Sequence, residues 1–361
     1  MHYTLHMTTK CNLRCSYCYV DHVYDGIDMT FDTARAAVEL AGKNNKRAGF
    51  VFFGGEPLLF RKLIYDTVAY ARSREQALGC AFSFKMTTNG LLLDDEFIKF
   101  AAQEAFFIAI SLDGTKTAHN LHRKDTNGKD SYDRVADAAK RLLAVMPLTP
   151  ALMTVSPDTL RLYAEGVESL FNLGFSFVVP SLDYSADWQD SNVTVLRQQY
   201  EQLTKLYERK TLRGDKFYFH PFESKISSHV NSKTYCRERC ELGLRQLSVG
   251  PDGIFYPCVQ FVGDARYALG DVRNGIDEAA RQALYTHNEK EKAGCDICTI
   301  RTRCNHYCAC LNKQSTGSVE EVAPMLCAHE RTVLPIADKL AERLYQKGNA
   351  AFIHKQYVHP L

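Results

Sequence analysis

The chain has 361 residues, enough for a large barrel-like domain with an appendage. Its formal net charge is only +2, with both signs spread along the chain, which argues against a nucleic-acid-binding or membrane-surface protein. The N-terminus lacks the apolar core of a signal peptide, and no apolar run is long enough to span a bilayer, so we expect a cytoplasmic protein. In that reducing compartment, the 13 cysteines favour metal ligation over disulfides.

Short apolar runs alternate with helical patterns through the first half of the chain. The predicted strands are 3–7, 50–53, 82–86, 106–112, 151–155 and 175–179, and the predicted helices are 31–45, 59–78, 94–103, 131–145 and 157–173. Such alternation implies right-handed βαβ units around a parallel sheet. Six units are too few for a closed eight-stranded barrel, so the predicted fold class is α/β with a partial (β/α)6 barrel. Its chemistry would lie at the carboxyl ends of the strands.

The second half of the chain is organised differently. A long helix is predicted at 191–212, and the cysteine-dense segment after it has little periodic core. Two short strands within 249–256 surround a Pro-Asp-Gly turn, and such a hairpin would bring Cys240 and Cys258 together. We therefore predict a barrel domain at 1–190, a helical linker at 191–234 and a cysteine-rich domain with a hairpin and helices at 235–361.

Three cysteines, Cys11, Cys15 and Cys18, follow the first predicted strand. Three thiolates can hold three irons of a [4Fe–4S] cluster and leave the fourth iron open to another ligand. The alternative is a zinc knuckle, which usually completes four ligands from two local pairs. The C-x3-C-x2-C string closely resembles that of the radical S-adenosylmethionine (SAM) superfamily. The resemblance implies that SAM binds the open iron and that an electron from the cluster cleaves it to a 5′-deoxyadenosyl radical.

The resemblance also implies SAM contacts at or near the ends of predicted strands. The residues concerned are Tyr17, Gly54, Gly55, Glu56, Pro57, Asn89, Ser111, Asp113 and Arg123. The glycine-rich turn would contact the SAM amino group through its backbone, and Arg123 would pair with the carboxylate. Asn89, Ser111 and Asp113 would reach the ribose or methionine portion, and Tyr17 would stack near the adenine. The alternatives are ordinary turn residues, a solvated charge at Arg123 and a core aromatic at Tyr17.

The C-terminal cysteines follow a second pattern, in which Cys240, a glycine and Cys258 precede a C-x2-C-x5-C-x3-C run and a last cysteine. This arrangement resembles the SPASM domain of many radical SAM enzymes, which implies two auxiliary [4Fe–4S] clusters. By family analogy the inner cluster would be held by Cys236, Cys240, Cys258 and Cys308, and the outer cluster by Cys295, Cys298, Cys304 and Cys327. The spacing of Cys236 leaves open whether the inner cluster has a free iron. For the four-cysteine run, a zinc ribbon is the alternative.

These resemblances imply the oxidation of a bound peptide. After hydrogen abstraction a substrate radical must lose one electron, and auxiliary clusters offer a route for it. We predict a peptide maturase that oxidises a side chain or forms a thioether or carbon–carbon cross-link. No catalytic residue beyond the SAM cluster is assigned.

Two alternatives remain open. The chain length and the 119–125 string resemble anaerobic sulfatase-maturing enzymes, which convert Cys or Ser to formylglycine. That group places an Asp base directly after the cysteine of a Tyr-Pro-Cys string, where this chain has Val259. A non-catalytic iron–sulfur electron carrier would need neither the turn at 54–57 nor a SAM-open cluster.

The expected partners are a peptide or protein substrate and a reductant such as flavodoxin or ferredoxin. The chain begins within a few residues of its first strand, so any leader peptide would bind the barrel, the cysteine block or a separate leader-binding protein. Neither nucleic acid nor a membrane is expected as a partner.

Overall fold

The computed structural model describes residues 1–20, 27–231 and 240–358. The strands are β1 (His2–His6), β2 (Leu13–Cys15), β3 (Arg47–Phe53), β4 (Ala81–Thr88), β5 (Phe107–Ser111), β6 (Arg123–Asp125), β7 (Pro150–Val155), β8 (Phe177–Leu182), β9 (Tyr218–Phe219), β10 (Gln246–Val249), β11 (Phe255–Tyr256), β12 (Gly270–Asp271) and β13 (Gly275–Ile276). The α-helices are α1 (Phe31–Asn44), α2 (Arg61–Leu78), α3 (Asp95–Gln103), α4 (Lys116–His122), α5 (Tyr132–Val145), α6 (Tyr163–Leu173), α7 (Asp190–Leu212), α8 (His220–Val230), α9 (Glu278–Asn288), α10 (Ala309–Thr316), α11 (Pro324–Gln346) and α12 (Ala350–Ile353). Among the described residues, no helix is both long enough and apolar enough to cross a membrane.

The chain divides into two compact units. The first comprises Met1–Ser111, Asn120–Thr149 and Glu241–Glu289, and the second comprises Leu112–His119, Pro150–Cys240 and Lys290–Leu361. This division follows the packing of the backbone rather than function. The domains predicted at 1–190, 191–234 and 235–361 therefore stay a prediction.

Six neighbouring strands of the main sheet lie in the first unit, in the order β11-β10-β1-β3-β4-β5. Strands β1, β3, β4 and β5 are mutually parallel, and β10 also pairs in parallel with β1. Strand β11 returns antiparallel to β10, which confirms the predicted hairpin. Alternate residues of the strands, such as Phe50 and Phe52, are fully buried in one core with Val38 of α1 and Ile64 of α2. Burial of large apolar side chains along one face of the sheet, at roughly 2 kcal/mol each, fixes its register.

The second unit contains parallel strands in the order β7-β8-β9. In it, α11 packs against both α7 and α8. Lys225 of α8 and Glu330 of α11 form an ion pair at 2.9 Å, and their side chains are only 5% and 4% exposed. A buried pair of this kind fixes the position of one helix against the other, because each charge depends on its partner.

Replacement of Lys225 by Met is expected to lower the free energy of unfolding by about 3–5 kcal/mol, because it removes the ion-pair partner of the buried Glu330 carboxylate. The double variant Lys225→Met, Glu330→Leu should recover most of that loss. Anaerobic urea unfolding measures both. As a control, Lys62→Met breaks the exposed pair with Asp66 and should cost less than about 1 kcal/mol. Equal losses at the two lysines would contradict the expectation.

The predicted alternation of strands and helices is confirmed, with differences at several boundaries. The helix predicted to begin at 59 starts at Arg61, since Pro57–Phe60 form a 3-10 turn. The helix predicted from 157 starts at Tyr163, after another 3-10 turn. The strand predicted at 175–179 occupies Phe177–Leu182 instead. The short elements β2, α4, β6 and α8 were not predicted, because their sequences are polar and carry no apolar period.

Candidate active site

The loop of Cys11, Cys15 and Cys18 follows β1 and is secured by the 119–125 string. Strand β2 pairs antiparallel with β6, so that Cys15 lies opposite Arg123. The Ser16 N–H donates to the His122 carbonyl oxygen at 3.1 Å, and Ser16 Oγ lies 2.6 Å from His122 Nδ1. Ser16 and His122 are thus site residues that the sequence did not reveal, because nothing local links two positions so far apart in the chain.

Tyr17 and Arg123, two of the predicted SAM contacts, lie together in this loop. The guanidinium carbon of Arg123 is 5.3 Å from the centroid of the Tyr17 ring, a cation–π distance. The His122 ring is 5.2 Å from the same ring. Arg123 is only 8% exposed, which excludes the alternative of a solvated surface charge.

The turn at Gly54 and Gly55 packs against the backbone that leads into Cys11. The Gly55 N–H donates to the Thr8 carbonyl oxygen at 2.8 Å, and the Glu56 N–H donates to that of Lys10 at 2.9 Å. A Cβ atom at Gly55 would lie 2.1 Å from the Lys10 oxygen, closer than any van der Waals contact. Gly54 has a φ of +127°, a conformation that only glycine adopts easily. Both glycines are therefore required by the packing of the cysteine loop, whatever they contact in SAM.

The Glu56 carboxylate is fully buried and joins this turn to the end of β4. It accepts hydrogen bonds from the Leu58 N–H at 3.1 Å, the Thr88 hydroxyl at 2.8 Å and the Asn89 N–H at 2.8 Å. Burial raises the pKa of Glu56 from 4.5 to about 7, although the three donors act in the opposite direction. Glu56 is thus a titratable link between the ends of two strands.

The raised pKa of Glu56 predicts a pH dependence of stability. Protonated Glu56 favours the folded state, so its contribution is complete below pH 4.5 and is lost as the pH rises through about 7. Over this range the free energy of unfolding of the natural protein should fall by roughly 3 kcal/mol relative to that of Glu56→Gln. Anaerobic urea unfolding across the range measures the difference. Glu39, whose pKa is lowered by Arg74, gives the control: relative to Glu39→Gln, the natural protein should lose stability towards acid. A pH-independent difference for Glu56→Gln would refute the prediction.

Asn89 contacts Cys11, the first of the three cysteines predicted to hold the SAM-binding cluster. Its Nδ2 donates to Asn12 Oδ1 at 2.7 Å and lies 3.6 Å from Cys11 Sγ. The Leu13 N–H lies 3.4 Å from the same sulfur. Burial raises the pKa of the Cys11 thiol, whereas these donors lower it. N–H donors aimed at a cysteine sulfur suit a metal-bound thiolate, so the residues present fit an iron–sulfur ligand at this position.

Ser111 and Asp113 are placed differently from one another. Ser111 ends β5 and is half-buried, and no hydrogen bond joins it to the described part of the cysteine loop. Asp113 is 1% exposed, and its Oδ1 accepts the Thr154 N–H of β7 at 2.9 Å. The Asp113 N–H donates to His119 Nδ1 at 3.3 Å. This geometry gives Asp113 a structural role beside any contact with SAM.

The outer auxiliary set lies within the second unit. The Cys298 N–H donates to the Cys295 carbonyl oxygen at 3.1 Å, which forms the turn of the C-x2-C pair. Burial raises the pKa of the Cys295 thiol, and the charges of Cys298 and Cys327 raise it further. Burial also raises the pKa of Cys304, with a smaller effect from Cys327. Cys295 thus lies near Cys298 and Cys327, and Cys304 lies near Cys327.

The inner auxiliary set is described only in part. Cys236 lies outside the described residues, Cys240 and Cys308 belong to the second unit, and Cys258 belongs to the first. Cys258 is buried directly after the hairpin, with Gln246 Nε2 at 4.0 Å from its sulfur. The ligand assignment therefore stays a prediction.

Within residues 1–20, 27–231 and 240–358, the side chains do not form a binding site for a single metal ion. No three His, Cys, Asp or Glu side chains there lie close enough to hold a metal ion. A [4Fe–4S] cluster differs from such a centre, because it distributes four thiolates over four irons. The assignment of the eleven cysteines to three clusters therefore stays a prediction.

Comparison with known proteins supports the fold and its family. Residues 5–177 match the model of the radical SAM superfamily. The cysteine-type anaerobic sulfatase-maturating enzyme of Clostridium perfringens is 24% identical over 281 residues, covering 74% of this chain and 76% of that enzyme. The serine-type enzyme of Klebsiella aerogenes is 23% identical over 323 residues, covering 82% and 76%.

The solved structures agree on the fold. Native anSMEcpe with bound AdoMet and Kp18Cys peptide superposes with a TM-score of 0.79 at 20% identity, covering 96% of this chain and 99% of that one. The predicted α/β fold class is confirmed by this match. Among the predicted functions, the similar proteins favour the sulfatase-maturing alternative over peptide cross-linking, which they do not single out. The chain is thus an enzyme with a radical SAM domain at residues 5–177.

Proposed function

We propose that this enzyme oxidises a Cys or Ser side chain of a protein or peptide to formylglycine. The observation that carries the proposal is the similarity to two sulfatase-maturating enzymes over about three quarters of the chain or more. Peptide cross-linking is the second candidate. Val259 favours it, because the Asp base expected after the Tyr-Pro-Cys string is missing.

The residues of the chain would position the cofactors. Cys11, Cys15 and Cys18 would hold three irons of the SAM-binding [4Fe–4S] cluster, while Asn89 donates to the Cys11 sulfur. When bound, the cluster and SAM supply a carbon radical that removes one hydrogen atom from the substrate. The buried side chain of Arg123 is suited to the SAM carboxylate, since guanidinium binds carboxylates in a bidentate manner.

The oxidation of Cys to formylglycine requires an outlet for one electron. A cysteine side chain and water give the aldehyde, hydrogen sulfide, two protons and two electrons. One proton and one electron leave together as the abstracted hydrogen atom. The other electron would pass to the auxiliary clusters, three clusters in all being proposed for the chain. The remaining proton would pass to a base elsewhere in the protein, because the side chain of Val259 cannot accept a proton.

The proposed partners follow from this reaction. A reductant such as flavodoxin or ferredoxin would supply the electron that opens the reaction. For the cross-linking candidate, the proposed partners include a separate leader-binding protein. We place the enzyme in the cytoplasm, because a reducing compartment keeps the eleven cysteines assigned to clusters available for iron.

Anaerobic incubation of the reconstituted enzyme with SAM, dithionite and peptides encoded beside its gene tests the proposal. Matched peptides carry Ser or Ala in place of the candidate Cys. Mass spectrometry should show a hydrazide-reactive aldehyde in the Cys or Ser peptide, one 5′-deoxyadenosine per product and none with Ala. Loss of two hydrogens without an aldehyde would indicate cross-linking instead. Failure to form 5′-deoxyadenosine would rule out both reactions, and iron far below about twelve per chain would contradict three clusters.

A further inference from the structure

Arg331 lies directly against the outer cysteine set. It follows Cys327 by one turn of α11, and its Nε donates to Cys327 Sγ at 3.3 Å. Its Nη2 donates to Cys298 Sγ at 3.6 Å, although Cys298 comes from a distant loop. The guanidinium therefore spans two of the four thiols assigned to the outer auxiliary cluster.

Two other arginines of the second unit pair with carboxylates. Arg303 makes hydrogen bonds of 2.8 and 2.6 Å to the two oxygens of Asp338, and Arg343 lies 3.3 Å from Glu208. Within the part of the chain that the structure describes, no Asp or Glu pairs with Arg331. An exposed guanidinium could instead form hydrogen bonds with water, so its hydrogen bonds to two sulfurs indicate a specific role.

We propose that Arg331 sets the reduction potential of the outer auxiliary cluster, acting as a positioning residue through its hydrogen bonds to Cys298 and Cys327. A cluster with four thiolates carries a net negative charge, which grows by one when the cluster accepts an electron. A nearby cation and N–H···S hydrogen bonds stabilise the reduced state more than the oxidised state. Arg331 would thereby make the outer cluster a better acceptor for an electron released by the substrate.

The outer set is half-buried and has exposed residues beside it, so the proposed effect should also depend on salt. Ile297, between Cys295 and Cys298, is 84% exposed, and Arg331 is exposed as well. Salt screens exposed charges. The part of the effect that comes from the charge of Arg331 should therefore shrink as ionic strength rises, whereas a purely steric role would not depend on salt.

The inference rests on the auxiliary clusters of the proposed function, so the experiment first isolates them. Full-length protein with Cys11, Cys15 and Cys18 replaced by Ala is reconstituted with iron and sulfide under anaerobic conditions. About eight irons per chain would show that both auxiliary clusters are present. An iron content near zero would show that the auxiliary clusters do not form. That result would contradict the proposed cofactor set, and with it the role of Arg331.

Redox titration followed by electron paramagnetic resonance then compares three variants in this background. Arg331→Gln should lower the midpoint potential of one of the two clusters, with a smaller decrease at high salt. Arg331→Lys, which keeps the charge, should have a midpoint potential closer to that of the protein with the natural arginine. Arg343→Gln is the matched control, since it removes an exposed arginine of the same helix and should change neither potential.

Unchanged potentials in Arg331→Gln would overturn the proposal. If Arg331→Gln loses one cluster, the measurement passes to Arg331→Lys, which should retain iron and a potential near that of the natural residue. Loss of the cluster in both variants would also overturn the proposal, because Arg331 would then be needed for assembly rather than for the potential.

Discussion

Replacement of Cys15 by Ala should reduce the formation of 5′-deoxyadenosine from SAM to background. Cys15 lies at the end of β2, opposite Arg123, and is one of three cysteines proposed to hold the SAM-binding cluster. Two thiolates cannot retain three irons of a cubane, so the SAM site would be lost together with about four irons per chain. Anaerobic chromatography of the products, with iron and sulfide analysis, measures both losses.

Cys80→Ala provides the matched control for Cys15→Ala. Cys80 is 2% exposed within the hydrophobic core of the first unit, where its thiol packs as a small apolar group. Its replacement should leave iron content and 5′-deoxyadenosine formation near those of the natural protein. Retention of both in Cys15→Ala, or an equal loss in Cys80→Ala, would show that the string at 11–18 does not hold the cluster.

Replacement of Gly55 by Ala should also abolish most of the activity, although it removes no ligand. The added methyl group would lie 2.1 Å from the Lys10 carbonyl oxygen, and backbone cannot move aside as a flexible side chain can. Either the turn or the segment leading to Cys11 must shift, which would displace the cluster ligands. We expect iron content and SAM cleavage to fall together by an order of magnitude or more, because misplacement of reacting groups by about 1 Å costs about 100-fold in rate.

The control for Gly55→Ala separates crowding from backbone strain. Gly79, which ends α2, has a φ of +61°, and no neighbouring atom lies within 4 Å of the position that an added methyl group would take. Gly79→Ala should therefore cost only about 1 kcal/mol of stability, from the left-handed conformation alone. Far-ultraviolet circular dichroism confirms folding of both variants. Normal iron content in Gly55→Ala would mean that the turn does not support the cysteine loop.

Local spacing in the sequence was enough to predict the cysteine loop, the glycine turn and the alternation of strands and helices. These features depend on neighbouring residues: Cys11 to Cys18 are separated by only six positions, and Gly55 closely follows a strand. The buried face of β3 could be predicted from its apolar run for the same reason.

The contacts that depend on distant residues could not be predicted. Asn12 meets Asn89, and Ser16 meets His122, across long stretches of chain that carry no sequence signal for these pairs. The raised pKa of Glu56 depends on complete burial, whereas the sequence alone would place a glutamate in water. The family resemblance implied that Asp113 contacts SAM. It did not suggest the hydrogen bond that Asp113 accepts from the Thr154 N–H of β7.

The parallel pairing of β1 with β10 has a consequence for how the enzyme is made. Strand β1 forms hydrogen bonds to a strand that is synthesised only after the whole predicted barrel segment. Until then, one edge of β1 has open N–H and C=O groups, which are prone to pairing with other chains. Pairings so distant in sequence also form slowly during folding. A nascent chain would thus add β10 to this sheet only after the loop of Cys11, Cys15 and Cys18, which follows β1, has been synthesised.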